Sequence, residues 1–180
     1  MGIDTAVRRA VFVDRDGVIN RPIVRGGRPF APANVEELEI LPGVEEALTR
    51  LRAAGFLLVV VTNQPEVSRG TLSHAALDAM HAALRSALPL DDIRVCPHDD
   101  RDACDCRKPK PGMVLAAARE LGISLARSYV VGDRWRDIAA GRTAGCVTIF
   151  VDCGYDEPRP DGAAVTVRSL AEAAEWILSQ

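Results

Sequence analysis

Short apolar runs alternate along the chain with longer stretches whose apolar positions recur every three or four residues. Arg9–Asp14 (RAVFVD), Phe56–Thr62 (FLLVVVT), Ile93–Cys96, Ser128–Gly132 (SYVVG) and Cys146–Val151 (CVTIFV) are brief and nearly continuous in apolar character, which predicts buried strands. Between and after them, Val44–Ala54, Ser73–Leu88, Gly112–Leu121, Arg134–Thr143 and Leu170–Leu178 read as helices. In the second of these, Leu77, Met80, Leu84 and Leu88 form one apolar face. Pro42 and Pro111 stand where helices begin, and Gly55 and Gly122 where they end. Strands alternating with helices predict an α/β fold, a doubly wound parallel sheet with helices on both faces. No repeat, low-complexity tract or long linker divides residues 1–180, so one domain is expected.

In such sheets ligands bind beyond the carboxyl ends of the strands. Asp14 and Asp16 follow the first strand, Thr62, Asn63 and Gln64 end the second, and Gly132-Asp133 ends the fourth. Neither nucleotide signature, G-x-G-x-x-G after the first strand or G-x-x-x-x-G-K-[ST], is found. Carboxylates beside a threonine and a lysine suit phosphoryl transfer with a divalent metal. Asp14 is the candidate nucleophile and Asp16 the candidate acid and base. Thr62 and Lys108 would stabilise charge on the transferring oxygens. Asp14, the Asp16 backbone carbonyl and Asp133 would supply oxygen ligands to magnesium. A purely structural account makes Asp14 and Asp16 turn residues and Asp133 a helix N-cap. It fits each residue alone, but not their concurrence at matching strand ends.

Composition narrows the partners. The 180 residues are 48% hydrophobic and 26% charged with net charge −3, a balance that suggests neither nucleic acid nor a membrane surface as partner. The N-terminal MGIDTAVRRAVFVD lacks an apolar stretch followed by a cleavage site, and Met1-Gly2 is discounted as an acylation start because Thr5 falls one place short. Phe56–Val61, the longest apolar run, is too short to span a bilayer. A cytoplasmic, monomeric protein is expected, in a compartment where structural disulfides are rare.

The stretch VCPHDDRDACDCRKPKPG (Val95–Gly112) holds three of the five cysteines. Cys96-x-His98 and Cys104-x-Cys106 offer four soft or borderline ligands on a short loop, a set that suits tetrahedral zinc. Free thiols and a redox switch are the alternatives, the second weakened by the lack of a C-x-x-C. His74, Asp78, His81 and Arg85 share a helix face and read as solvated. Cys146 and Cys153 read as packed small residues, Trp176 as the anchor of the last helix, and Trp135 as packing.

DRDGVIN, VVVTNQ, CRKPKPG and VVGDRWRDI resemble the four motifs of the haloacid dehalogenase superfamily, in order, over about residues 9–155. DRDG with TNQ and the CPH…CDCRKP loop is similar to the branch containing the histidinol-phosphate and heptose-bisphosphate phosphatases. The resemblance implies a Rossmann-like fold, Asp14 as nucleophile, Asp16 as acid and base, Thr62 and Lys108 as the phosphate-stabilising pair, and Asp133 as magnesium ligand. It also implies structural zinc on Cys96, His98, Cys104 and Cys106, holding Arg107 and Lys108 over the site. Arg107 matches a substrate-recognition position, and Asp137, a helical turn beyond Asp133, could orient the metal's waters. Arg134 departs from the lysine that heptose phosphatases tend to carry. Arg21–Leu41 is too short for the large cap domain of many relatives, so an open site edged by loops is expected. RPIVRGGRPF is expected to be a mobile basic loop, as near to simple solubility as to substrate binding. Asn63, Gln64, Arg69, Arg107, Arg25, Arg28 and Arg134 are the candidate substrate contacts. The implied substrate is a phosphorylated sugar, a heptose bisphosphate ahead of histidinol phosphate; a non-catalytic phosphate-binding module is the reading from another class.

Overall fold

The computed structural model describes residues 7–180; Met1, Gly2 and Thr5 lie outside the described residues. In chain order the elements are β1 (Arg9–Val13), β2 (Ile23–Arg25), β3 (Arg28–Phe30), α1 (Val44–Ala53), β4 (Phe56–Asn63), α2 (Pro65–Ser68), α3 (His74–Ala87), β5 (Asp92–Cys96), α4 (Gly112–Leu121), β6 (Tyr129–Gly132), α5 (Trp135–Ala144), β7 (Val147–Val151), β8 (Val165–Val167) and α6 (Leu170–Leu178). Six strands form one sheet in the order β5-β4-β1-β6-β7-β8, every neighbouring pair parallel. The five expected strands are present, and β8 adds an edge that its polar surroundings hid.

Alternation within the central strands fills two cores. Val11, Val13, Leu58 and Val60 face a layer built by α1, α6 and the end of α3, while Ala10, Phe12, Val59 and Val61 face α4 and the end of α5. Strands buried on both sides must be apolar at every position, hence the continuous runs. Ser73 caps α3 by accepting the Ala76 N–H at 3.1 Å, and Ser169 caps α6 by accepting that of Glu172 at 3.2 Å. Trp176 stacks edge-on against Tyr129 at 6.3 Å, anchoring α6 to the sheet as expected.

The segment expected to be a mobile loop is a β-hairpin: β2 and β3 pair antiparallel through a Gly26-Gly27 turn with φ of 55° and 74°. Two successive positive φ values match a hairpin turn that twists with its strands and that glycine adopts without strain. The backbone N–H of Asp156 donates to the Gly27 carbonyl at 2.9 Å, tying the hairpin to the loop after β7. Cys146 is buried as expected, but Cys153 is exposed, its thiol donating to the Gly17 carbonyl at 3.4 Å. Among the described residues no helix is long and apolar enough to cross a membrane.

Candidate active site

Register brings the chemistry to one edge. Val13 pairs with Val60 of β4 and Val131 of β6, so Asp14, Thr62 and Asp133 leave the sheet together at its carboxyl end. The carboxylates of Asp14, Asp133 and Asp137, all buried, lie within 4.8 Å of one another. Lys108, 3% exposed, reaches in among them, its Nζ donating to Asp14 Oδ1 at 2.8 Å, Asp137 Oδ1 at 2.5 Å and the Val61 carbonyl at 2.8 Å. Burial opposes its charge, yet Asp137 and Asp14 outweigh that and hold its pKa above the ordinary lysine range. Burial pushes the Asp14 carboxyl up to about 6, with Lys108 pulling the other way. Asp133 is raised well above the usual carboxylate range by burial and then by Asp14 and Asp137.

Asp133 is not the N-cap of α5. Arg134 holds that position, and its backbone N–H donates to Asp137 at 3.0 Å. Both oxygens of Asp133 are buried without a hydrogen-bond partner, which native structures rarely tolerate in a group meant to stay bare. Gly17, at φ 92°, passes so close that a Cβ there would sit 2.0 Å from Asp133 Oδ2, so DRDG needs its glycine for approach as well as for conformation. Three buried carboxylates with one lysine leave excess negative charge, and the orphaned Asp133 oxygens fit a hard divalent cation.

Asp16 stands on the adjoining loop and accepts from four donors. Arg15 Nη2 lies 3.2 Å from Oδ1 and 3.1 Å from Oδ2, Arg15 Nε is 3.3 Å from Oδ1, Asn20 Nδ2 3.0 Å from Oδ1, and Gln64 Nε2 2.8 Å from Oδ2. Gln64, expected to be a substrate contact, is wholly buried and also donates to Thr62 Oγ1 at 2.8 Å, a position that supports the site from within. His81 is a second correction. Expected on a solvated face, it is buried with Nε2 3.0 Å from Arg15 Nη1, and burial, then the Arg15 charge, lowers its pKa to about 4. Helical spacing places His81 beside polar residues, and only the packing of α3 against the DRDG loop turns it inward. Arg15 and Asn20 are functional candidates that sequence reasoning passed over, and His81 is one that it read as solvated.

Cys96, His98, Cys104 and Cys106 converge. Cys96 Sγ is 3.6 Å from both His98 Nδ1 and Cys104 Sγ, and Cys106 Sγ is 3.3 Å from His98 Nδ1, 3.0 Å from Cys96 and 3.5 Å from Cys104. These separations approach the edges of a tetrahedron with ~2.3 Å metal–sulfur bonds, and all five cysteines are free. Burial would raise the Cys104 thiol, but the backbone N–H of Arg107 and bonds from the neighbouring thiols bring it down to about 7. The loop runs directly into Arg107 and Lys108, and Asn63 clasps Lys108 there, its Nδ2 donating to the Lys108 carbonyl at 3.0 Å and its Oδ1 accepting the Lys108 N–H at 3.1 Å.

Above this floor opens a cavity of about 290 Å³, lined by Asp14, Asp16, Lys108 and five arginines. Arg107 donates to Asp100 at 2.8 Å, Arg136 to the same carboxylate at 3.0 Å, Arg69 to Asp99 at 2.6 Å and Arg134 to Glu157 at 2.8 Å. Arg28, Pro29 and Phe30 of the hairpin form one wall, so the site is edged by more than loops. Arg25 is not among the residues that line the cavity; it pairs across the hairpin with Arg28 on the same face, and its guanidinium lies 6.0 Å from the Phe30 ring. Arg136 lines the wall and was not anticipated, because in sequence it is one basic residue of a helix start.

A Rossmann-like sheet delivering buried carboxylates and a lysine beneath an arginine-rimmed cavity defines a hydrolase of phosphate monoesters. Residues 28–145 match the haloacid dehalogenase-like hydrolase family, and the chain belongs to it. It is 35% identical over 181 residues to the D-glycero-beta-D-manno-heptose-1,7-bisphosphate 7-phosphatase of Pseudomonas aeruginosa, covering 95% of this chain and 98% of that protein. It is 37% identical over 186 residues to the enzyme of the same name from Escherichia coli, covering 95% and 94% respectively. The crystal structure of D,D-heptose 1,7-bisphosphate phosphatase from B. bronchiseptica, complexed with magnesium and phosphate, superposes with a TM-score of 0.81 at 34% identity, covering 95% of this chain and 98% of that one.

Proposed function

We propose that this chain is a magnesium-dependent phosphatase that works through an aspartyl-phosphate on Asp14 and removes the 7-phosphate of D-glycero-D-manno-heptose 1,7-bisphosphate. The observation that carries this reading is the floor: Lys108 held between Asp14 and Asp137 with the bare Asp133 carboxylate alongside. Asp14 and Asp133, with the Asp16 carbonyl, would hold magnesium, and Asp137 stands beside them. Bound there, the ion would offset repulsion between the anionic nucleophile and the phosphate. An Asp14 oxygen attacks phosphorus, the ester P–O bond breaks, and Asp16 gives its proton to the departing sugar oxygen. Asp16, now a carboxylate, takes a proton from water; the water oxygen attacks phosphorus and frees Asp14 and inorganic phosphate. Lys108 supplies fixed positive charge, and the Thr62 hydroxyl, which accepts from Gln64, keeps its own proton to donate.

Zinc on Cys96, His98, Cys104 and Cys106 would be structural, since four protein ligands leave no open position. The scheme is that of a monomeric, single-domain enzyme, its groups gathered at the carboxyl edge of one six-stranded sheet. A cytoplasmic location agrees with its expected thiol chemistry.

Two features favour the heptose bisphosphate: the names of the relatives, and the arginine rim that a second phosphate could meet. Histidinol phosphate carries an amine and an imidazole in place of that phosphate and gains nothing from arginines. A non-catalytic binder would need no acid held by four donors beside the nucleophile. The test is kcat/KM for both substrates on one preparation. A clear preference for the bisphosphate is expected, and a preference for histidinol phosphate refutes the substrate while sparing the chemistry.

A further inference from the structure

Arg15 lies between the two catalytic aspartates in sequence, is wholly buried, and does not line the cavity. Its guanidinium is consumed on every edge. Nε and Nη2 donate to Asp16, Nη2 also to Gln64 Oε1 at 3.0 Å, and Nη1 to His81 Nε2 at 3.0 Å. A cation taken fully out of water must be paired and hydrogen-bonded, and here Asp16, Gln64 and a neutral imidazole do both. The planar fork also fixes direction: with Nη1 pinned by His81 on α3, the other edge can meet Asp16 in only one orientation. Asp16 keeps one side toward the cavity, since its side chain is 15% exposed while that of Arg15 is not exposed at all.

We propose that Arg15 and His81 form a positioning pair that holds the Asp16 carboxyl toward the cavity, aligned to protonate the leaving oxygen and then to deprotonate the attacking water. This rests on Asp16 being the acid and base. It makes α3, remote from the phosphate, part of the proton-transfer machinery.

The two half-reactions separate this role from a merely structural one. With p-nitrophenyl phosphate, nitrophenolate leaves with its electron pair and needs no proton, whereas hydrolysis of the aspartyl-phosphate still requires Asp16 to take one from water. In magnesium-loaded enzyme, Arg15→Gln is expected to lower kcat for a sugar phosphate by about 100-fold at nearly unchanged KM. With p-nitrophenyl phosphate the same variant should give a rapid stoichiometric burst of nitrophenolate followed by slow turnover, larger than any burst of the wild type. His81→Phe, which removes the acceptor, should move both readouts the same way by roughly 10-fold, and His81→Gln, which keeps one, should recover most of the loss. Adding Arg15→Gln to Asp16→Asn should cost almost nothing further, because both act through one group. Loss of kcat without a burst, or losses that multiply in the double variant, overturns the proposal. If Arg15→Gln does not fold, the His81 pair carries the same test. Wild-type turnover in Asp16→Asn would instead refute the acid–base reading itself, and this inference with it.

Discussion

The floor and the rim of the cavity both pair their cations with carboxylates, but by different means. At the floor Lys108 is paired with Asp14 and Asp137 almost out of reach of water. At the rim Arg107 and Arg136 share Asp100, whose side chain is 58% exposed. Removing one partner of a buried pair leaves an uncompensated charge and costs about 3–5 kcal/mol, while an exposed pair is worth about 0–1 kcal/mol. The floor is therefore fixed before substrate arrives, as a reaction centre must be. The rim is exchangeable: a phosphate, with more charge and more acceptor oxygens than a carboxylate, can take a guanidinium from Asp100 at small cost. The contrast separates chemistry from recognition within one pocket.

The contrast breaks most severely at Asp14. Asp14→Asn keeps the size of the side chain and leaves Lys108 paired with Asp137, so the fold should survive while turnover falls below detection. Circular dichroism with a phosphate-release assay checks both halves, and near-normal turnover would refute the aspartyl-phosphate. Stripping magnesium should abolish activity equally and reversibly.

The cysteine loop serves both regions, because it delivers Lys108 to the floor and Arg107 and Asp100 to the rim. Cys104→Ser should release the metal, and with it the position of both ends. Elemental analysis of freshly prepared, chelator-free protein should find about one zinc per chain in the wild type and much less in the variant. Turnover should fall and KM rise together, each by roughly 10-fold. Protein free of zinc at the outset would refute the site, and full activity after zinc removal would confine the metal to the fold.

Most of the floor was legible in the sequence because Asp14, Thr62 and Asp133 stand at strand ends in short contiguous motifs, and a parallel sheet gathers those ends without further information. The same holds for the cysteine loop, whose four ligands lie within eleven residues. The rim was only half legible. Arg25 and Arg28 look alike in RPIVRGGRPF and pair across one hairpin, and only the seating of that hairpin against the site brings Arg28 and not Arg25 to the cavity. His81 and Arg136 sit on helices whose polar positions all read as solvated until neighbouring elements are in place. Asp137 was seen but undervalued, since its pairing with Lys108 joins residues 29 positions apart. Contacts made at long range by single side chains leave no pattern in the chain.

The smallest effects belong to the rim, and they sharpen the comparison best. Arg136 reaches Asp100 from α5 and stacks 5.0 Å from the Trp135 ring, so its guanidinium is held near the cavity even when Asp100 is displaced. Arg107 keeps a second anchor, the His98 carbonyl at 3.1 Å. Both can then grip a distal phosphate without being reordered, which limits the entropy lost on binding. Truncation of either, Arg136→Ala or Arg107→Ala, should raise KM for the bisphosphate by about 10-fold and leave kcat nearly unchanged, the signature of binding shared by ground and transition states. p-Nitrophenyl phosphate, with no second phosphate, should lose little in either variant. Arg25→Ala, outside the cavity, should change neither substrate. If Arg136→Ala instead lowers kcat for both substrates alike, the rim is coupled to the floor through Asp100 and the loop, and the division between recognition and chemistry fails at that residue.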